Sequence, residues 1–163
     1  NRIVRAMPNT PALVQAGIAG LYAAPAVGQD ARSQAEAVLR AVGGVVWVDD
    51  EPQLDLVTAV SGSGPAYVFY FIESLEAAGV AQGLAPETAR QLALQTFFGA
   101  AKLALESGEE PGVLRQRVTS RGGTTERGIA VLEAAAVNLA ISQAVEAASR
   151  RSAELGDELG RLA

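Results

Sequence analysis

The segment formed by residues 66–81 constrains the fold of this chain most, because it is apolar on nearly every side. A helix with that pattern is buried on several faces. Hydrophobic residues make up 49% of the sequence and charged residues only 19%. A chain of 163 residues cannot easily cover so much apolar surface by itself. We therefore expect a mostly helical protein that associates with further copies of itself.

Short strands are predicted before this helix. Residues 3–7 and 18–23 are apolar segments that end at proline or glycine, and residues 45–48 form a third strand before an acidic turn. Between the second and third strands we predict a helix, with Asp30 as its N-cap and Gly43-Gly44 as its left-handed stop. Residues 1–50 thus follow the alternation of an α/β unit.

Every later pattern is helical. The predicted helices cover residues 53–60, 66–81, 86–108 and 111–118, followed by one that begins near Glu126 and one from about Ala135 to Leu159. The last helix carries a nearly heptad apolar stripe, which is typical of a helix that pairs with a partner chain. The sequence Ser61-Gly62-Ser63-Gly64 predicts a tight bend between two helices, which could also border a cofactor.

Composition argues against several classes of function. The chain has no cysteine, which fits a reducing cytoplasm, and no histidine, which argues against hydrolytic triads and zinc sites. A net charge of −5 argues against a nucleic-acid partner. No apolar run is long enough to span a bilayer, so we expect a soluble, cytoplasmic protein without membrane or metal partners. Since the sequence opens at Asn1 without an initiator methionine, we also expect a fragment.

Residues 119–125 are the most informative part of the chain. Two adjacent glycines allow a tight turn that exposes backbone N–H groups, and the start of the following helix attracts anions. The segment therefore predicts a site for a carboxylate or a phosphate. The alternative is a capped turn between two helices, in which the hydroxyl side chains serve only the backbone. The spacing differs from that of a Walker loop.

This region resembles the signature of the pyrroline-5-carboxylate reductases. The residues that carry the resemblance, at matching spacing, are Pro111, Leu114, Val118-Thr119-Ser120, Gly122-Gly123, Thr125, Gly128-Ile129 and Leu132-Glu133. The family's pattern also resembles residues 7–11, 41–43, 61–67 and 99–102, so it covers essentially the whole chain. Two residues depart from it. Arg121 stands where the family usually has proline, and Arg117 stands where an asparagine often contacts the substrate, so loop rigidity and substrate affinity are open questions.

The resemblance implies a fold and a reaction. Residues 1–50 would be the end of a Rossmann-like dinucleotide-binding domain, and residues 51–163 an all-helical dimerisation and substrate-binding domain. Most of the Rossmann half would precede Asn1. The family reduces 1-pyrroline-5-carboxylate, a cyclic imino acid, to L-proline with NADPH or NADH, the last step of proline biosynthesis. It forms homodimers that commonly stack into a decamer. The fragment alone would be inactive.

The resemblance also assigns roles to residues. Thr125 would be catalytic, because its hydroxyl would hydrogen-bond the ring nitrogen. The substrate-binding residues would be Glu51, Arg117, Ser120, Gly122, Gly123, Thr124 and Thr125, and the nicotinamide would be bordered by Met7, Pro8 and Asn9. Simpler interpretations exist for some of them, since Glu51 lies in an acidic turn and Met7 precedes a strand-ending turn. The lysine Lys102 is better explained as a surface cation than as a catalytic amine.

Two other functions compete with this one. A β-hydroxyacid dehydrogenase also joins a helical domain to a Rossmann fold, but it would need a catalytic lysine with carboxylate and amide partners, which Lys102 lacks in the sequence. The second alternative is a non-catalytic helical module that only forms oligomers. The sequence leaves the choice between NADH and NADPH open, because the turn that reads the ribose is not part of it.

Overall fold

A computed structural model describes residues 2–161 of the chain. Three strands form one mixed sheet, namely β1 (Val4–Met7), β2 (Gly17–Ala23) and β3 (Gly43–Trp47). The middle strand β2 is antiparallel to β1 and parallel to β3. A short 3₁₀ turn, Thr10–Val14, follows β1.

Helices make up most of the remainder. They are α1 (Gln29–Arg40), α2 (Gln53–Val57), α3 (Gly64–Ala81), α4 (Pro86–Ser107), α5 (Pro111–Arg117), α6 (Thr124–Ala134) and α7 (Val137–Gly160). A π-helical segment, Thr58–Gly62, joins α2 to the start of α3. The predicted fold class, mostly helical with a small sheet at the N-terminal end, is confirmed.

The chain divides into two units. The first runs to Tyr67 and resumes at Ile141, and the second is Val68–Ala140. The division of the sequence at residues 50 and 51 stays a prediction.

The core of the first unit is centred on β2. Leu21 is fully buried and Ala19 nearly so, because α1 packs against β2 and β3 while α2 packs against β1 and β2. Gly20 allows α2 to approach closely, since a Cβ at this position would lie 2.6 Å from the side chain of Val57. The small residues of β2 therefore bring the helices close to the sheet.

Two predictions about α1 are wrong. The helix begins at Gln29 after an extended Gly28, so Asp30 lies in the first turn instead of at the N-cap. A carboxylate in that turn still interacts favourably with the helix dipole. The helix ends at Arg40, and Gly43 begins β3, where a Cβ would overlap the carbonyl oxygen of Gly17. Glycine is needed there for close approach of two strands, not for a left-handed helix stop.

A hydrogen-bonded network joins α1 to β3. The carboxylate of Glu36 accepts hydrogen bonds from Trp47 Nε1 (2.9 Å) and from Arg40 Nε (2.7 Å). The guanidinium of Arg32 lies 5.3 Å from the ring centroid of Trp47. The hydrogen bond from Trp47, then that from Arg40, lowers the pKa of Glu36.

Helix boundaries further along the chain agree with the sequence in part. Pro86 lies in the first turn of α4, and Gly108 ends that helix with a φ of 65°, as predicted. The bend predicted at residues 61–64 is the end of the π-helical segment, in which the Ser63 N–H donates to Thr58 O (2.7 Å). Helix α6 begins at Thr124, two residues before its predicted start, and α7 begins at Val137 after a left-handed Ala136.

The second unit leaves much apolar surface uncovered. Ala89 and Ala93 of α4 are buried, and Ala89 lies close to Gly79 of α3. Phe69 of α3 and Phe98 of α4 are 63% and 62% exposed, and α3 has no buried residue in the single chain. The burial that the sequence predicts for this helix is therefore not provided by one chain.

No single helix within residues 2–161 is long and apolar enough to cross a membrane, and only α6 and α7, taken together as a bent pair, meet those criteria.

Candidate functional site

The turn between α5 and α6 has a backbone that only glycine fits well. Gly122 has a φ of 74°, in the left-handed region. The Gly123 N–H donates to Ser120 O (3.0 Å), and a Cβ at Gly123 would lie 2.5 Å from Ser120 Oγ. Both glycines are therefore required by geometry, one by its dihedral angle and the other by close packing.

The start of α6 exposes unpaired donors. Gly123 is the N-cap of α6, and Thr124 and Thr125 are the first two residues of the helix. No side chain makes a capping hydrogen bond at this end. Within residues 2–161, neither their backbone N–H groups nor the Thr125 hydroxyl has a hydrogen-bond partner. The idea that these hydroxyls cap the helix is thus wrong, because Gly123 already holds that position. Free N–H groups at the positive end of a helix dipole favour a bound anion.

Glu126 is a site residue that the sequence reasoning missed. Its Oε2 accepts a hydrogen bond from the Gly122 N–H at 2.7 Å. An acidic residue at the third helical position is a known partner of amides before the helix, and this signal could have identified it. The turn therefore already holds one internal carboxylate, which pairs with the Gly122 amide and leaves the amides of Thr124 and Thr125 free in the described part of the chain.

The arginines near the turn are largely paired with glutamates. Arg117 ends α5, and its guanidinium donates to Glu109 Oε1 at 2.6 Å. Arg115 pairs with Glu133 at 3.5 Å. Arg121 lies exposed in the turn itself. The predicted contact between Arg117 and the substrate stays a prediction.

Glu51 lies just before α2, in the first unit. Its Oε1 accepts a hydrogen bond from Arg5 at 2.6 Å, and both side chains are about half exposed. The turn between α5 and α6 belongs to the second unit. A contact of Glu51 with the substrate therefore stays a prediction.

The loop after β1 contacts the π-helical segment. A Cβ at Gly62 would lie 2.6 Å from Met7 Cε, so the methionine lies directly over that glycine. The Asn9 side chain bonds to Ser61 and to Ile18, whereas Pro8 is exposed. Two of the three residues predicted to border the nicotinamide are thus joined to the Ser61-Gly62 turn.

Lys102 and the acidic residues offer no second site. Lys102 Nζ is 3.7 Å from Glu106 Oε1 one turn along α4, and more than half of the lysine side chain is exposed. This arrangement favours the surface-cation interpretation. In the described part of the chain, no three His, Cys, Asp or Glu side chains lie close enough together to hold a metal ion.

A family comparison identifies the chain. The family model for pyrroline-5-carboxylate reductase dimerisation matches residues 51–155. The chain belongs to the pyrroline-5-carboxylate reductase family. The family predicted from residues 111–133 is thereby confirmed, and the match favours it over the β-hydroxyacid dehydrogenases.

Relatives in other organisms agree with the pyrroline-5-carboxylate reductase assignment. The chain is 52% identical to the enzyme of that name from Pseudomonas aeruginosa over 98% of its own length and 58% of the relative's. It is 51% identical to the one from Synechocystis, over 94% and 57%. The chain therefore spans less than two thirds of the relatives it matches.

Solved reductase structures share the fold. The Coxiella burnetii pyrroline-5-carboxylate reductase superposes with a TM-score of 0.93 at 49% identity, covering 95% of this chain and 57% of that one. The Plasmodium falciparum pyrroline carboxylate reductase, solved with NADP bound, gives 0.87 at 36% identity, covering 96% and 62%. A dimerisation domain and uncovered apolar helices together indicate homo-oligomerisation.

Proposed function

We propose that a full-length reductase containing this chain reduces 1-pyrroline-5-carboxylate to L-proline with NADPH or NADH. The observation that carries the proposal is the free N-terminal end of α6, where the amides of Thr124 and Thr125 have no partner among the described residues. This end follows the glycine turn that bears the family's signature. The chain would supply the substrate site and the oligomer interface.

The substrate is a zwitterion when its ring nitrogen is protonated, and the turn offers a group for each charge. The two free amides and the Ser120 hydroxyl suit the carboxylate. The Thr125 hydroxyl, on the same first turn of α6, suits the ring nitrogen. These residues would hold the ring in one orientation, and orientation by itself accounts for a large part of the rate in such reactions.

The nicotinamide cofactor supplies a hydride when it is bound. In this chain, Met7 and Pro8 at the end of β1 fit the border of its site, because Pro8 is exposed and Met7 is held against Gly62. The sequence has no G-x-G-x-x-G turn for the pyrophosphate. A complete cofactor site therefore needs residues beyond these, as the partial coverage of the relatives also suggests.

The proposed assembly is a homodimer built by helices. Phe69 and Tyr70 of α3 and Phe98 of α4 are exposed apolar residues of the second unit that could contact a partner chain, and Leu155 of α7 is one of the first unit. An interface of that character is typical of permanent dimers. Stacking of dimers into a decamer, a cytoplasmic location and the lack of membrane and nucleic-acid partners belong to the same proposal.

Steady-state kinetics test the proposed reaction. A full-length reductase carrying this chain should oxidise NADPH or NADH only when 1-pyrroline-5-carboxylate is present. The 163-residue chain alone should give no turnover above the blank. The proposed function would be contradicted if the full-length enzyme showed no imine-dependent oxidation, and the assigned cofactor site would be wrong if the chain alone were active.

A further inference from the structure

The Asn9 side chain connects two segments that lie far apart in sequence. Asn9 Oδ1 accepts a hydrogen bond from the Ile18 N–H at 3.0 Å, and Asn9 Nδ2 donates to Ser61 O at 3.1 Å. Asn9 is the N-cap residue of the 3₁₀ turn, yet its side chain makes no capping bond there. An asparagine in that position ordinarily caps its own helix, so this side chain has been diverted to other partners.

The bond to Ile18 replaces a backbone hydrogen bond that is missing between β1 and β2. The register of β1 and β2 pairs Met7 with Gly20, and continuing it would place Asn9 opposite Ile18. At the other end of β1, the Ala24 N–H donates to Ile3 O, so Ile3 and Ala24 are a hydrogen-bonded pair. Every second pair along the two strands is of this kind, and Asn9 and Ile18 would be one of them. The Asn9 carbonyl, however, accepts from the Ala12 N–H (3.1 Å). The Asn9 side-chain oxygen therefore takes the Ile18 N–H in its place.

The bond to Ser61 satisfies a carbonyl to which the neighbouring helix backbone offers no donor. Ser61 lies in the π-helical segment, where its carbonyl would accept from the N–H of Ala66, five residues later, and Pro65 has no N–H that could take that place. The next residue, Ala66, donates to Ser63 O instead (3.0 Å). The Asn9 amide thus supplies the donor that the backbone cannot.

Only an amide of this length satisfies both partners. The acceptor must face an N–H and the donor must face a carbonyl, which fixes the orientation of the Asn9 amide. Aspartate would turn a second oxygen toward Ser61 O, and alanine would leave both groups unpaired. The chemistry at this position is therefore specific to asparagine.

We propose that Asn9 is a positioning residue, which fastens the loop after β1 to the π-helical segment and so holds Met7 against Gly62. Its effect on the cofactor would come through that loop, and the predicted place of Asn9 at the border of the nicotinamide stays a prediction. The connection between the loop and the π-helical segment rests on the two hydrogen bonds described above. The effect of Asn9 on the cofactor rests on the proposed function. π-Helical turns often mark functional positions, in agreement with this placement.

Hydrogen exchange on the 163-residue chain tests the connection directly. In Asn9→Ala, the Ile18 amide should exchange about tenfold faster, the scale of one lost hydrogen bond. In Asn9→Asp, the acceptor for Ile18 remains, so the Ile18 rate should change less than in the alanine variant. Asn138→Ala is the matched control, because Asn138 is exposed on α7. An unchanged Ile18 rate in Asn9→Ala would overturn the proposal.

Pro65→Ala tests the reason for the Ser61 bond. The substitution restores an N–H that can donate to Ser61 O, so the loss of urea midpoint caused by Asn9→Asp should shrink in its presence. Equal losses with and without Pro65→Ala would show that Asn9 does not replace the missing amide.

Kinetics of the full-length enzyme test the effect on the cofactor. Asn9→Ala and Asn9→Asp should raise KM for NADPH about tenfold, with a smaller change in KM for the imine, since one held loop is released. Asn138→Ala should change neither constant. Normal KM values for NADPH in variants with fast Ile18 exchange would overturn the positioning role. A wild-type enzyme without imine-dependent turnover would instead refute the proposed function, while the exchange data would still decide the contact.

Discussion

Replacing Thr125 by alanine separates a catalytic role of its hydroxyl from a purely structural one. Thr125 is the second residue of α6, behind the N-cap Gly123, and its hydroxyl has no partner within residues 2–161. Removing it therefore breaks no hydrogen bond in the described part of the chain. The stability of the folded protein should change by less than about 0.5 kcal/mol, the usual range for surface substitutions.

The kinetic effect should be much larger. In the proposed site the Thr125 hydroxyl bonds the ring nitrogen, and a hydrogen bond to a charged group contributes about 1.5–3 kcal/mol. For Thr125→Ala in the full-length enzyme, kcat/KM should therefore fall roughly ten- to a hundredfold. Thr125→Ser keeps the hydroxyl and should retain most of the activity.

Steady-state kinetics and urea denaturation of the same variants decide between the two roles. Thr88→Ala provides the matched control, because Thr88 is an exposed residue in the first turn of α4. It should leave both kcat/KM and stability unchanged. A Thr125→Ala enzyme with normal kcat/KM would refute the catalytic role, and one that lost only stability would show that Thr125 has a purely structural role.

Three further predictions follow from named contacts. Gly123→Ala should lower the free energy of unfolding by about 1–3 kcal/mol, because its Cβ would meet Ser120, whereas Gly128→Ala in open space on α6 should not; equal urea midpoints for the two would contradict this. Because the pKa of Glu36 is lowered in the folded protein, its carboxylate stabilises the fold at pH values above the ordinary carboxyl pKa, and this stabilisation is lost as the pH falls through the lowered pKa. Glu36→Gln should therefore make the free energy of unfolding depend less on pH in the acid range. Urea titrations that show an unchanged pH dependence would refute this. Light scattering should show a dimer at micromolar concentration, which a stable monomer would exclude.

Features with local causes could be predicted from the sequence. Pro86 and Gly108 bound α4 because proline suits a first turn and glycine a left-handed end, whatever surrounds them. The tight turn before α6 could likewise be predicted from the adjacent glycines Gly122 and Gly123. The family assignment depended on that same turn and its neighbours, and it is confirmed.

Features set by contacts between residues far apart in sequence could not be predicted in this way. The need for glycine at Gly43 arises from Gly17 on another strand, and the Asn9 side chain bonds to Ser61 in a later helical segment. Nothing near these residues in sequence reveals either contact. The predicted burial of α3 is not observed in a single chain for a related reason, since the surface that would cover this helix is not part of that chain.

The position of the substrate carboxylate is the central claim, and NMR titration of the isotopically labelled chain with L-proline tests it most directly. The amide signals of Thr124 and Thr125 should shift together and saturate, because these two amides are free within residues 2–161 and lie at the start of α6. The Gly122 amide, already bonded to Glu126, should shift less. Unmoved Thr124 and Thr125 signals at proline concentrations that inhibit the full-length enzyme would contradict the account.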